Sequence, residues 1–190
     1  MPIRSLINQS ISLQQSLLAN EEIVATVEEI VTLVSTAFKN GKRVYFCGNG
    51  GSAADAQHLA AEFSGRFYKD RRALPAEALH CNTSYLTAVA NDYSYDLIYS
   101  RLIEGLGMDG DILIGLTTSG NSANVVNAFE TARAKGMTTI GFTGSSGGRL
   151  KALSQYLVNI PSDVTPRIQE AHMLLGHIIC QLVEASCFPD

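Results

Sequence analysis

The feature that most constrains this chain is the run Val44-Tyr45-Phe46-Cys47-Gly48-Asn49-Gly50-Gly51-Ser52. An unbroken apolar segment gives way to a glycine turn and then to a helical pattern at about residues 53–64. Such a run reads as a strand buried on both faces, a tight turn and the start of a helix. In an open α/β sheet that turn lies at the carboxyl end of a strand, where backbone N–H groups and the helix N-terminus hold an anion. Farther along the same helix His58 and Glu62 stand four residues apart and so share one face. An anion cradle with a titratable pair beside it points to chemistry on a phosphorylated small molecule.

The rest of the chain supplies a fold for that stretch. Further short apolar segments at 76–80, 111–116, 138–143 and 156–160 alternate with helical patterns at 84–91, 96–106, 123–135 and 149–153. Strand alternating with helix predicts a parallel, helix-covered sheet. Two helical patterns come before any strand, Ile3 to Leu18 and a second that opens on Asn20 as N-cap and stops at Asn40-Gly41. Residues 1–40 are thus expected to form a helical appendage that covers the sheet or joins subunits, with subunit contact foremost. A long helix from Arg167 to Ala185 closes the chain, with Thr165 as its expected cap and Pro166 at its first position.

Periodicity does not set the strand order. In a doubly wound sheet of order 2-1-3-4-5, the loops after Cys47 and after Leu116 would meet at the switch point between the first and third strands. The second of these loops, Thr117-Thr118-Ser119-Gly120-Asn121-Ser122, is rich in hydroxyls. Hydroxyls, backbone N–H groups and a helix N-terminus at Ser122 or Ala123 can hold a phosphate without an arginine. The same residues also suit a plain turn and cap; it is the pairing of two such loops at one switch point that favours the phosphate.

Composition narrows the class. The 190 residues suit one domain, 1–190, and a net charge of -4 with 17% charged residues offers no broad basic surface for nucleic acid. No apolar run reaches the roughly 18 residues of a membrane helix, and residues 1–20 lack the charged start and apolar core of a signal peptide. The expectation is a cytoplasmic protein that engages no membrane. Cys47, Cys81, Cys180 and Cys187 form no CxxC pair and are expected to be reduced, buried small hydrophobes.

The motifs from Gly48 to His58 and from Thr118 to Val125 together resemble the sugar isomerase (SIS) domain, and more closely the phosphoheptose isomerase (sedoheptulose 7-phosphate isomerase) family. The likeness runs over nearly the full length, adding Glu62-Phe63-Ser64-Gly65-Arg66-Phe67, Ala90-Asn91-Asp92 and Arg167-Ile168-Gln169-Glu170-Ala171-His172. It implies a three-layer αβα sandwich on a five-stranded parallel sheet, here expected in the order 2-1-3-4-5, and a homotetramer. The implied activity is conversion of sedoheptulose 7-phosphate into D-glycero-D-manno-heptose 7-phosphate for bacterial heptose and lipopolysaccharide precursors. Carried over position by position, the resemblance makes Glu62 and His177 the acid/base pair. It makes Asn49, Gly50, Gly51, Ser52, Glu62, Asn91, Asp92, Thr117, Thr118, Ser119, Ser122 and Gln169 substrate contacts, Thr117 standing where a serine is common. Some members bind Zn2+ through residues matching His58, Glu62, Gln169 and His177; no organic cofactor is implied. One departure is Pro166, which occupies a place where related isomerases can carry an aspartate that reaches the substrate.

A second family, the SIS proteins that associate with a bacterial replication initiator, resembles the chain at Ser52 to His58, at Arg167 to His172 and in Phe188-Pro189. Its members lack the catalytic acid and the late histidine, both present here as Glu62 and His177. The enzyme is therefore the first reading and a non-catalytic initiator-binding or sugar-phosphate-sensing module the alternative.

Aldose–ketose isomerisation needs a base that carries a proton between neighbouring carbons through a cis-enediol, and a partner that moves protons between the two oxygens. A carboxylate in a desolvating pocket suits the first role and an imidazole the second. The bland readings are that Glu62 is a solvated helix residue and that His177, among Leu174, Leu175, Ile178 and Ile179, is a satisfied core histidine. His80 and His172 are expected to be structural, and Asp55 to cap or anchor the loop. Gln169 and His177 lie about 12 Å apart along a helix, so joint ligation requires their side chains to converge or one to come from another subunit.

Overall fold

A computed structural model describes residues 2–189; Met1 and Asp190, the ends of the expected 1–190 domain, lie outside the described residues. Five parallel strands form one sheet: β1 (Val44–Gly48), β2 (Ala76–Ala78), β3 (Ile112–Leu116), β4 (Thr138–Thr143) and β5 (Tyr156–Asn159). Their order is β2-β1-β3-β4-β5, as expected. All residues of β1 and β3 are buried, because helices cover both faces of these central strands. The helices are α1 (Pro2–Leu18), α2 (Glu21–Lys39), α3 (Gly51–Ser64), α4 (Thr83–Asp92), α5 (Ile98–Leu106), α6 (Ala123–Ala134), α7 (Leu150–Leu153) and α8 (Thr165–Cys187).

Strand alternation sends side chains into two separate cores. Val44, Phe46, Ile112, Ile114 and Leu116 meet α2, α3 and α8 on one face, while Tyr45, Cys47 and Leu113 meet α4, α5 and α6 on the other. Fully burying side chains of this size is worth about 1.5–3 kcal/mol each, so a one-residue slip of β1 would exchange its two sets of partners. The first face decides the site, because it sets α3 and α8 side by side.

The two N-terminal helices differ in burial. Asn20 caps α2, its Oδ1 accepting from the Ile23 N–H at 3.1 Å, and Ile23, Val27, Ile30, Val34 and Phe38 sink into the core. By contrast α1 buries only Leu17 and leaves Ile3, Leu6, Ile7 and Ile11 exposed.

Several local expectations are corrected. Thr165 does not cap α8: the cap is Val164, and Thr165 and Pro166 are its first two residues. The helix expected from residue 96 begins as a separate 3-10 turn, Tyr95–Leu97, which Ser94 caps through its hydroxyl. The segment at 76–80 forms only a three-residue edge strand before turning. All four cysteines are free, Cys47 and Cys180 buried as expected, but Cys81 is exposed and Cys187 half-buried.

Candidate active site

The pairing of β1 with β3 sets Gly48 opposite Leu116, so the loops that follow leave the sheet side by side. Two helix N-termini open there. Gly50 caps α3 with a φ of 56° and no side-chain bond, and Ser122 caps α6, also without one. A helix N-terminus leaves N–H groups without helical partners and favours an anion.

The loop hydroxyls are linked to one another. Thr117 Oγ1 lies 2.9 Å from Ser122 Oγ and 3.4 Å from Ser119 Oγ, and Ser119 Oγ accepts from the Asn121 N–H at 3.2 Å. Thr118 offers a further hydroxyl, and its carbonyl accepts from the Gly144 N–H. Asn49 ties the two loops together: its amide and that of Asn124 exchange hydrogen bonds at 2.9 Å, and Tyr95 Oη donates to Asn49 Oδ1 at 3.0 Å. Buried Ser52, in the first turn of α3, accepts from Gln169 Nε2 at 3.4 Å. Gln169 lies over the glycine turn so closely that a Cβ on Gly51 would come within 2.6 Å of its Nε2.

The titratable groups gather beside this cradle. His58 Nε2 is 3.1 Å from Glu62 Oε1 on its own helix and 2.9 Å from His177 Nε2 on α8. The two imidazoles cross with ring centroids 5.1 Å apart, and Phe67 lies against His177 at 5.8 Å. Gly176 makes this approach possible, because a Cβ there would stand 2.7 Å from both Leu59 methyl carbons on α3. His177 is thus no core histidine; its ring faces the other helix and is half-buried.

Ligand atoms of His58, Glu62 and His177 all lie within 4.8 Å of one another. Two imidazole nitrogens and a carboxylate oxygen are a zinc donor set, and bonds of about 2.0–2.1 Å in a tetrahedron place ligand atoms about 3.3 Å apart, close to the 3.1 and 2.9 Å that separate His58 Nε2 from Glu62 and His177. Three of the four expected ligands thus present donor atoms that fit a cation; the fourth, Gln169, donates from Nε2 to Ser52. Asn91 and Asp92 end α4, exposed, with Asn91 Nδ2 donating to Asp92 Oδ1 at 2.9 Å.

The remaining histidines, His80 and His172, are not members of this cluster. His172 is fully buried against Phe142 and donates from Nε2 to the Thr143 carbonyl at 3.2 Å. Burial pushes its pKa down to about 4, the Thr143 bond opposing only in part. Burial likewise lowers the pKa of His80. Asp55, one turn before His58, has its pKa raised by burial while the charge of His58 pulls the other way.

Sequence reasoning passed over several residues that build this site. Asn124 and Tyr95 join its loops, and Gly176 sets the helix spacing. Arg71 and Glu184 form an ion pair at 2.9 Å with side chains 3% and 2% exposed. Arg71 sits in an Arg-Arg run that reads as a solvated face, but Glu184 was findable: it is a lone carboxylate on the apolar stripe of α8. Burial pushes its pKa up, yet bonds from the Lys69, Tyr68 and Phe67 amides and from Arg71 outweigh this and hold it below the ordinary value.

Comparison with known proteins agrees with this geometry. Residues 8–144 match the SIS domain. The phosphoheptose isomerase of Clostridium acetobutylicum is 49% identical over 188 residues, which are 99% of this chain and 96% of the relative. That of Aneurinibacillus thermoaerophilus is 47% identical over 186 residues, 98% and 94% of the two chains. The solved phosphoheptose isomerase of Neisseria gonorrhoeae superposes with a TM-score of 0.90 at 38% identity, covering 97% of each chain.

Proposed function

We infer the reaction from the premise that this chain belongs to the phosphoheptose isomerase family of SIS domain proteins. It is a ketose–aldose isomerase that converts sedoheptulose 7-phosphate into D-glycero-D-manno-heptose 7-phosphate. The observation that carries the chemistry is the meeting of Glu62 and His58 on α3 with His177 on α8, beside a crevice where two helix N-termini open.

Ser52, Thr117, Thr118, Ser119 and Ser122 hold the phosphate with the N–H groups of α3 and α6. Asn49, Gly50 and Gly51 allow its close approach, and Asn91, Asp92 and Gln169 take the sugar hydroxyls. Binding the phosphate as a handle fixes the reacting carbons over the pair, supplying proximity and alignment. Glu62 removes a proton from C1 of the ketose, and the C–H electron pair forms the C1–C2 double bond as the C2=O π pair moves onto O2, giving a cis-enediolate. His177 moves a proton from O1 to O2, and Glu62 returns its proton to C2, leaving the C1 aldehyde. Zn2+, where bound, would be held by His58, Glu62 and His177 and would supply Lewis-acid polarisation of the substrate oxygens, and Glu62 would have to leave or share the metal to act as base.

The assembly proposed is a homotetramer, and the exposed apolar row Ile3, Leu6, Ile7 and Ile11 on α1 supports a contact between subunits. No helix among the described residues is long and apolar enough to cross a membrane. We place the reaction in the cytoplasm, in the supply of heptose for bacterial lipopolysaccharide.

Incubating the purified protein with sedoheptulose 7-phosphate and detecting the aldose tests the reading. Product from wild type and none from folded Glu62→Gln is the expected pair of results. Absence of product from wild type would instead support a binding role, and normal turnover by Glu62→Gln would remove Glu62 as base.

A further inference from the structure

We propose that Arg71 and Glu184 are positioning residues: a buried clamp that holds the end of α3 and the loop at 65–72 against α8, and so sets Glu62 and His177 at working distance. The kinetic consequence rests on the isomerase reading above; the clamp itself rests on geometry.

The Arg71 guanidinium closes the C-terminus of α3. Its Nη2 donates to the Glu62 carbonyl at 2.8 Å, and Nη1 donates to the carbonyls of Phe63 at 2.8 Å, Gly65 at 2.9 Å and Arg72 at 3.1 Å. These include last-turn carbonyls that a helix leaves without partners, where a cation is favoured. Its Nε donates to Glu184 Oε1 at 2.9 Å. The carboxylate of Glu184 gathers the loop that follows: Oε1 accepts from the Phe67 N–H at 3.0 Å, and Oε2 accepts from Tyr68 at 2.8 Å and Lys69 at 3.0 Å. One ion pair thus satisfies four main-chain carbonyls and three amides, and Phe188 covers the guanidinium with its ring centroid 5.5 Å from Cζ.

Each end of the clamp is one short step from the reacting pair. Arg71 grips the main chain of Glu62 itself. Glu184 lies seven residues beyond His177, two turns along the same face of α8. The loop it orders carries Phe67, whose ring rests on His177. Two buried charges are a costly way to hold a fold, and apolar side chains of similar volume often do as well. The distinctive service of this pair is directional, because a planar fork and a two-oxygen acceptor fix seven main-chain groups at once. The phosphate loops at 49–52 and 117–122 make none of these bonds.

The test compares Glu184→Gln, which keeps the shape but replaces an acceptor oxygen with a donor, and Arg71→Lys, which keeps the charge but cannot span the acceptors. Both are assayed where circular dichroism shows them folded. Expected is a fall in kcat of roughly 10- to 100-fold, the scale at which outer-shell partners act, with KM for sedoheptulose 7-phosphate within about twofold. Side-chain NMR signals of His58 and His177 should shift while those of His80 and His172 stay. Wild-type kcat in the folded variants, or a raised KM at unchanged kcat, overturns the proposal. Should wild type fail to isomerise the sugar, the functional reading falls, and the NMR signals still judge the clamp: unmoved His58 and His177, or equal shifts in all four histidines, overturn it.

Discussion

Adding one methyl group at Gly176 should separate catalysis from folding. The Cβ of Gly176→Ala would stand 2.7 Å from both Leu59 methyl carbons and 3.3 Å from Leu59 Cγ. Carbon pairs rest at about 3.5–4.0 Å, so the contact is short by roughly 1 Å. Leu59 is 2% exposed and packed in the core beside a small cavity, so the strain divides between turning its side chain and moving α8 off α3. Overpacking of this kind costs about 1–3 kcal/mol, and alanine regains about 1 kcal/mol over glycine within a helix. The net loss is therefore about 0–2 kcal/mol, a fall in Tm of up to about 8 °C for a chain of this size. The functional effect is larger, because His177 is the next residue and its Nε2 sits 2.9 Å from that of His58. A displacement near 1 Å can cost about 100-fold in rate. Steady-state kinetics with sedoheptulose 7-phosphate beside thermal unfolding would measure both effects. The added change Leu59→Ala, which removes the opposing methyl groups, should restore much of kcat while lowering Tm further. Wild-type kcat in Gly176→Ala, or no recovery in the double variant, would refute the spacing argument.

Other consequences follow from single contacts. His172 holds its Nδ1 buried and unpartnered, so protonation is favoured in the unfolded chain. With a folded pKa of about 4 against about 6.5 unfolded, its contribution is complete above pH 6.5 and is lost as pH falls toward 4, amounting to about 3 kcal/mol. Urea unfolding across that range should show this slope, and His172→Leu should flatten it. Gly120 has a φ of 66°, and a Cβ there would fall on the Gly147 carbonyl oxygen; Gly120→Ala should raise KM at least tenfold by displacing the hydroxyl loop, with a smaller effect on kcat. Metal analysis after mild chelation should find about one zinc per chain in wild type and none in His58→Ala; a zinc-free wild type of full activity would dismiss the metal.

Much of this protein is legible in its sequence. Strands with short-range apolar runs and helices with clear stops appear where their spacing places them, because burial on two faces and caps such as Asn20 act within a few residues. Boundaries went astray where a neighbour competes: Thr165 could cap α8, yet Val164 does. The two loops of the candidate site were readable for the same local reason, since glycine and hydroxyl loops declare themselves by composition. Arg71, Glu184, Asn124 and Tyr95 were not, because an arginine in a charged run or a tyrosine in a loop gains its role only from a partner that the fold brings near, 113 residues away for Arg71 and Glu184.

The sequence by itself determined a parallel α/β sheet, two glycine- and hydroxyl-rich loops after its first and third strands, and a His58–Glu62 pair on one helix face. These follow from periods of two and 3.6 residues and from turn chemistry, which operate along the chain. Only the tertiary structure decided how closely His177, which the resemblance had placed in the site, stands to that pair, and that Gln169 reaches Ser52. That outcome depends on how closely α8 lies on α3, a distance that Leu59, Gly176 and the Arg71–Glu184 ion pair set through contacts across the core.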